Sequence, residues 1–269
     1  MLSAAADALK RGEAVALVTV VRAQGSTPQR VGAKMLVFGD GRTVGTIGGG
    51  CYENDALWKA REALVSGRSA LLHYELNDDF AQENGLICGG RMDVHVDPLE
   101  PTPHLYIIGA GHVGHHLGRT AADAGFRLHV VDDREKFASA ERFPAADIIV
   151  EPIPEWLHRA EIPPSAYVVV VTRGHTHDLD AMRALAARDL KYLGLIGSRA
   201  KVARIADALL AEGMPPECLA RVHAPIGLNI GAVTPAEIAI SILAELIAVR
   251  RGVNVGAQSL SEARRTPKP

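Results

Sequence analysis

From residue 104 onward the chain keeps one rhythm. Short β-branched runs at 104–108, 127–131, 147–150, 167–171 and 192–196 alternate with alanine-rich stretches at about 113–124, 178–188, 199–212 and 235–250. Strands that are apolar on both faces must be covered on both faces, so the pattern predicts a doubly wound α/β unit around a parallel sheet. The first hundred residues read differently. A short helix at 3–11 leads to strands at 14–22, 33–38 and 42–47, then a helix at 52–66 and strands at 70–76 and 91–96. That order predicts a smaller α+β domain whose strands need not be parallel. Between the two patterns, residues 97–103 carry Pro98, Pro101 and Pro103, which remove backbone donors and disfavour helix. The expected organisation is therefore a domain over 1–98, a linker at 99–103, a second domain over 104–256 and a disordered tail at 257–269.

Composition narrows the partners. The chain has 269 residues, 48% hydrophobic and 22% charged, and a formal net charge of −2. That balance supplies no basic field for nucleic-acid binding. The longest apolar runs, 14–21 and 166–171, fall far short of the roughly 20 residues that span a bilayer. The start of the chain lacks the charged and apolar regions of a secretory signal, so a cytoplasmic protein without membrane contact is expected. Three cysteines, Cys51, Cys88 and Cys218, form no CxxC pair. An odd, scattered set argues against a disulfide framework and a cysteine-rich zinc site.

Gly109-Ala110-Gly111-His112-Val113-Gly114 directly follows an apolar strand and opens a helix, and the next strand ends in Val131-Asp132-Asp133. In this context Gly109 makes the tight turn, Gly111 lets a pyrophosphate approach the backbone, and Gly114 lets helix pack on sheet. The helix N-terminus offers N–H groups to an anion. Asp132 is placed to accept hydrogen bonds from a ribose diol, which favours a ribose without a 2′-phosphate. The unit thus reads as Rossmann-like; the plainer alternative is a tight turn with no ligand. His112 lies within the turn, whereas His115 and His116 read as packing or surface residues.

Other loops at the carboxyl ends of the strands should face the same crevice. One carries Thr172-Arg173-Gly174-His175-Thr176-His177-Asp178-Leu179-Asp180. Its histidines and aspartates could hold a metal, or Thr176 or His177 could cap a helix with Asp178 and Asp180 in its first turn. Capping with ligand contact through His175 is the preferred reading, and no metal site is assigned. Gly194 to Arg199 forms a second glycine turn, with Gly197, Ser198 and Arg199 as candidate ligand contacts. The loop 224–231 is followed by Thr234, Pro235 and Glu237, a strong helix start. Both loops could line one pocket, or simply pack tightly.

In the first domain, Gln24, Gly25 and Ser26 lie in a polar turn with no evident core role. Gly48, Gly49 and Gly50 precede Cys51 at a strand-to-helix junction, where helix N–H groups favour a thiolate. Glu53 follows, and Cys88 precedes Gly89-Gly90. Against any special role stands the fact that most thiols outside disulfides are small buried hydrophobes.

These segments together resemble the XdhC/CoxI family of xanthine dehydrogenase accessory proteins. The resemblance rests on 24–28 (QGSTP), 32–35 (GAKM), 45–53 (GTIGGGCYE), 88–90 (CGG), 108–114 (IGAGHVG), 131–134 (VDDR), 194–199 (GLIGSR), 224–231 (APIGLNIG) and 234–237 (TPAE). It runs in order through both domains. It implies an α/β protein, with a C-terminal Rossmann-like doubly wound parallel sheet and a smaller N-terminal α+β domain. It also implies an accessory factor rather than a catalyst. Such a factor binds molybdenum cofactor, in pterin or dinucleotide form, and shields it while a cysteine desulfurase supplies the sulfido ligand. It then inserts the cofactor into a molybdenum hydroxylase apoenzyme of the xanthine dehydrogenase type. A homodimer is implied as well. A soft thiol at Cys51 suits a molybdenum contact, and the Gly109 turn suits a cofactor phosphate.

Two rivals compete with this reading. An NAD(P)-dependent oxidoreductase would use the glycine turn and Asp132, but no catalytic pairing is evident at a hydride-acceptor site. Metal-assisted hydrolysis would use His175, His177, Asp178 and Asp180.

Overall fold

The computed structural model describes residues 1–76 and 90–253, apart from the side chains of Leu76 and His175. Cys88 and the expected tail at 257–269 lie outside the described residues. The chain divides into two compact units, the first being Met1–Thr102 and the second starting at Pro103.

In the first unit, α1 (Leu2–Lys10) precedes β1 (Val15–Gln24), β2 (Lys34–Phe38) and β3 (Thr43–Gly45). Then follow α2 (Cys51–Ser66), β4 (Ala70–Leu76) and β5 (Gly90–Leu99). The strands pair antiparallel in the order β3-β2-β1-β5-β4. Alternation along β1 sends Ala16, Val18 and Val20 towards α2, where Ala56, Ala60 and Ala63 recur at helical spacing. Their small side chains let the helix lie close over Met35, Met92 and Val94, and each such methionine buried contributes about 1.5–3 kcal/mol. Val15, Leu36 and Phe38 face the other way, against Ala5 and Ala8 of α1.

Two expectations change here. The strand at 42–47 stops at Gly45, whose φ of +88° turns the chain out of the ladder. The proline-rich stretch is partly strand, since Asp97, Pro98 and Leu99 pair with Leu17, Ala16 and Val15. Pro98 is tolerated because β4 accompanies β5 no further than Val96, which leaves that end of β5 one-sided.

The second unit opens with β6 (His104–Ile108), α3 (His112–Asp123), β7 (Arg127–Asp132) and β8 (Ala146–Val150). It continues with α4 (Ile153–Arg159), β9 (Tyr167–Val170), α5 (His175–Leu185), β10 (Tyr192–Leu195) and α6 (Arg199–Ala211), and ends with α7 (Pro216–Ala220) and α8 (Pro235–Arg250). All its strand pairs are parallel, in the order β10-β9-β6-β7-β8. Ile108, Val168, Val170 and Leu195 pack against Trp156, Met182, Leu185, Val202 and Leu209 on one face. Ile107, Leu128, Val130 and Val169 pack against Leu117, Ala121, Ile242 and Leu246 on the other. This is the doubly wound arrangement that the continuous apolar strands require. The strand order reverses between β6 and β9, which places the crevice at their carboxyl ends.

The sequence pattern did not suggest α4 or α7. Both begin at prolines, Pro152 with Pro154 and Pro215 with Pro216, and a proline that interrupts a helix is compatible with its first turn.

Candidate functional site

The first unit builds a glycine loop between β3 and α2. Gly48, Gly49 and Gly50 take φ values of +128°, +76° and +81°, a run that only glycine adopts without strain. Glu53, in the first turn of α2, reaches back over them. Its Oε2 accepts from Thr46 Oγ1 at 2.5 Å, Ile47 N at 2.9 Å and Gly49 N at 3.0 Å, while Gly48 N donates to Thr46 Oγ1 at 2.9 Å. Burial works against the charged form of Glu53, but the hydroxyl and the loop N–H groups outweigh it and hold the carboxyl below its usual range. Cys51 follows as the first residue of α2, half-buried, behind an N-cap Gly50 that supplies no side-chain cap.

The polar turn packs beside this loop. A Cβ on Gly48 would strike the Tyr52 hydroxyl and lie 2.9 Å from Cβ of Pro28, whereas one on Gly49 would meet nothing within 4 Å. A Cβ on Gly90 would lie 2.5 Å from the Gln24 carbonyl and 2.8 Å from that of Ser26. The structure therefore brings the turn of Gln24, Gly25 and Ser26 together with the Gly48–Glu53 loop and sets Gly90 against the turn. Gly25 and Ser26 are exposed, and Gln24 is as well.

In the second unit the glycine turn performs three separate tasks. Gly109, at φ +113°, has no room for a Cβ, which would meet Val171 O at 2.5 Å and Thr172 Cα at 2.9 Å. A Cβ on Gly114 would collide with the Gly109 carbonyl oxygen, but at Gly111 it would find nothing within 4 Å. Turn and packing thus demand Gly109 and Gly114, while Gly111 leaves the backbone open to approach. Gly111 is the N-cap of α3 without a side-chain cap, and the exposed His112 begins the helix.

The close approach of Gly109 to Thr172 joins the turn to the loop after β9. Here α5 starts at His175, not near 178, because extended Gly174 is its N-cap. Thr176 and His177 are consequently within the helix and do not cap it. Asp178 is fully buried, accepting from Thr172 Oγ1 at 2.6 Å and ion-paired with Lys201 Nζ. Asp180 is held by Arg183 at 2.6 Å. Among the described residues, which leave out the His175 side chain, no group of histidine, cysteine and carboxylate side chains could hold a metal.

Asp132 also differs from its expected role. The residue is 2% exposed, and its carboxylate accepts from Ala110 N at 2.8 Å, Arg134 N at 3.0 Å, Arg134 Nε at 2.8 Å and Arg134 Nη2 at 2.9 Å. It braces the glycine turn and presents no open acceptor to a diol. Burial opposes its charge, and the Arg134 guanidinium with the two N–H groups overrides that to depress its pKa.

Ser198 caps α6, accepting from Lys201 N at 3.3 Å, and Gly197 gives the Lys201 stem room, since a Cβ there would lie 3.1 Å from Lys201 Cδ. Arg199 and the 225–231 loop line one cleft of about 290 Å³, as their sequence positions suggested. Buried Glu245 on α8 anchors that loop, accepting from Tyr192 Oη at 2.6 Å and Gly227 N at 2.8 Å and meeting His223 Nδ1 at 3.0 Å. The helix start at Thr234 is the expected capping box with Pro235 and Glu237. Sequence reasoning assigned no role to Thr46, Arg134, Lys201 or Glu245. Arg134 and Thr46 lay inside quoted motifs, and Lys201 sits three residues past the capping serine, but nothing local marks Glu245.

The second unit is a doubly wound nucleotide-type domain, and the first is an antiparallel α+β unit carrying a glycine–cysteine loop. Residues 105–246 match the XdhC Rossmann domain, and residues 8–75 match the XdhC and CoxI family. The chain belongs to the XdhC and CoxI family. It is 37% identical to the Escherichia coli (strain K12) protein YqeB over 90% of its own length, but spans only 44% of that relative. A Bacillus subtilis (strain 168) protein, named as a probable component of xanthine dehydrogenase, is 27% identical over 92% of this chain and 96% of its own. The Escherichia coli (strain K12) molybdenum cofactor insertion chaperone PaoD is 24% identical, covering 93% and 88% respectively. A crystal structure described as a xanthine dehydrogenase from Bacillus halodurans shares the fold, with a TM-score of 0.52 and 24% identity over 96% of this chain and 98% of that one. No described helix is long and apolar enough to cross a membrane.

Proposed function

We propose that this protein is a cytoplasmic accessory factor that binds molybdenum cofactor, protects it while a cysteine desulfurase supplies the sulfido ligand, and inserts it into a xanthine dehydrogenase-type apoenzyme. The observation that carries this reading is the loop over Glu53. One carboxylate fixes a run of left-handed glycines so that an open backbone position, Gly49, stands two residues before Cys51 at the start of α2. A group that must approach both a backbone and a soft sulfur donor fits that arrangement. The names of the B. subtilis relative and of PaoD support the same assignment.

When bound, the cofactor supplies a molybdenum centre with dithiolene sulfurs and a phosphate. Cys51 donates a soft ligand, Gly48 to Gly50 admit the group to the backbone, and the polar turn at Gln24 to Ser26 offers hydrogen bonds at the rim. In the second unit, open Gly111 and the first turn of α3 offer N–H donors to a phosphate. The protein acts as a homodimer, as an accessory factor more than as a catalyst.

The test is anaerobic purification with and without added molybdenum cofactor, followed by assay of bound pterin, molybdenum and nicotinamide. Stoichiometric pterin and molybdenum are expected, with retention reduced at least tenfold in Cys51→Ala at an unchanged melting temperature. Bound NAD without pterin would overturn the proposal.

A further inference from the structure

The end of β7 is built to reject a ribose diol. A diol-binding carboxylate needs two oxygens with vacant lone pairs, as in dinucleotide sites where an acid takes the ribose hydroxyls. An ionised carboxylate has about four acceptor positions. At Asp132 four donors arrive, from Ala110 N, Arg134 N, Nε and Nη2, at 2.8 to 3.0 Å. With the residue only 2% exposed, the carboxylate gives a ligand neither access nor a vacant position.

What meets a ligand there is the arginine. The Arg134 guanidinium lies 3.9 Å from the centre of the Phe137 ring, which fixes its plane, and its side chain stays 26% exposed. Asp132 takes two of its five N–H donors, so the fork is neither exhausted nor free to swing. Two further arginines flank it. Arg173, from the loop after β9, bonds Asp133 at 2.8 Å. Arg142 donates to the carbonyls of Ala110 at 2.9 Å and Phe137 at 2.7 Å, neutral groups that hold the side chain in place without cancelling its charge. Arg134 and Arg173 thus pair with Asp132 and Asp133, and Arg142 stands on neutral carbonyls beside the glycine turn.

We infer that Arg134 is a specificity residue, making this edge of the Rossmann unit a receptor for a phosphomonoester and closing it to an unphosphorylated ribose. The inference deepens the cofactor reading by naming the anionic group that the unit accepts, and it rests on that reading only for the identity of the natural ligand. Phosphate suits a planar, pre-oriented guanidinium fork, and a diol would have to displace the bidentate Arg134–Asp132 pair before it could bind.

NADH and NADPH serve as probes because they differ by one phosphomonoester on the ribose. Titrations monitored by nicotinamide fluorescence would be run on the wild type, Arg134→Ala and the double variant Arg134→Ala/Asp132→Asn. Expected are a preference for NADPH in the wild type of at least tenfold and a rise in NADH affinity of at least tenfold in Arg134→Ala. That gain should disappear in the double variant. Arg134→Gln and the melting temperature of each variant separate loss of selectivity from loss of folding. Wild-type binding of NADH as tight as that of NADPH would overturn the inference, and so would the absence of any NADH gain in a folded Arg134 variant. Pterin and molybdenum retention by the same wild-type preparation is read separately, so failure here leaves the cofactor reading to its own result.

Discussion

Lys201, only part-exposed, closes its ammonium onto the carboxylate of Asp178, which has no solvent-accessible surface. The pair ties the first turn of α5 to the first turn of α6, and Thr172 adds a hydroxyl at 2.6 Å. Breaking a buried pair from one side strands a charge, so Lys201→Met should destabilise the second unit by about 3 kcal/mol. Removing both partners, in Asp178→Leu with Lys201→Met, should cost less than Lys201→Met alone. Urea unfolding of the three proteins checks the order, and a double variant less stable than the single one would refute it.

The three glycines of the turn should separate in mutation. Gly114→Ala pushes a methyl group into the Gly109 carbonyl, and overpacking of this kind costs about 1–3 kcal/mol or more. Gly111→Ala meets open space and sits at φ −64°, so melting should stay near that of the wild type. Ligand affinity in the second unit should nevertheless fall, because the methyl group fills the backbone approach. Equal thermal effects of the two variants would contradict this division of roles.

Glu53 serves three donors at once, so Glu53→Ala should release Thr46, Ile47 and Gly49 together. Lost bonds at a part-exposed site predict a destabilisation of about 1–2 kcal/mol. Molybdenum retention should fall more steeply than stability, since the glycines lose their common anchor. A variant that melts lower yet retains the cofactor fully would show that the loop geometry is irrelevant to binding.

A pH dependence follows from a histidine pair at the base of the second sheet. His129 Nε2 lies 2.9 Å from His104 Nδ1, with Tyr106 stacked at 4.3 Å, Asp147 at 3.3 Å and Arg127 nearby. Burial first, and the His104 ring next, lower the His129 pKa to about 4 from 6.5. The unfolded chain therefore takes up a proton that the folded one refuses. This contribution to stability is complete above pH 6.5 and is lost as pH falls from 6.5 towards 4. In His129→Gln the melting temperature should decline less over that interval. Parallel curves for wild type and variant would rule the pair out.

Much of the architecture was legible because it follows from periodicity. The apolar runs ending at Ile108 and Val170 named strands covered on both faces, and glycines at Gly109 and Gly114 named a turn without room for side chains. Spacing carries no information on which groups consume one another. Asp132 stood where a ribose acceptor stands, yet Arg134 fills its oxygens, because the backbone turns there so that a residue two positions on folds back over it. Lys201 and Glu245 were illegible for a related reason: their partners come from other strands and helices, and only tertiary packing joins them. The histidines and aspartates after Thr172 suggested a metal, but burial of Asp178 against an ammonium gave that carboxylate a different use.

Glu245 receives Tyr192, His223 and Gly227 on one buried carboxylate, whereas Ile230 and Val233, a few residues further on, are 55% and 81% exposed. The loop is thus fixed at its root by a buried carboxylate and held further on only by local bonds, Ile230 N to Leu228 O at 2.9 Å and Val233 N to Glu237 Oε2 at 2.8 Å. Amide exchange along it should fall into two regimes, with Gly227 opening only when the sheet itself opens and Ile230 exchanging by local excursions. A group entering the cleft beside Arg199 would then meet a wall whose rigidity declines from Gly227 towards Ile230.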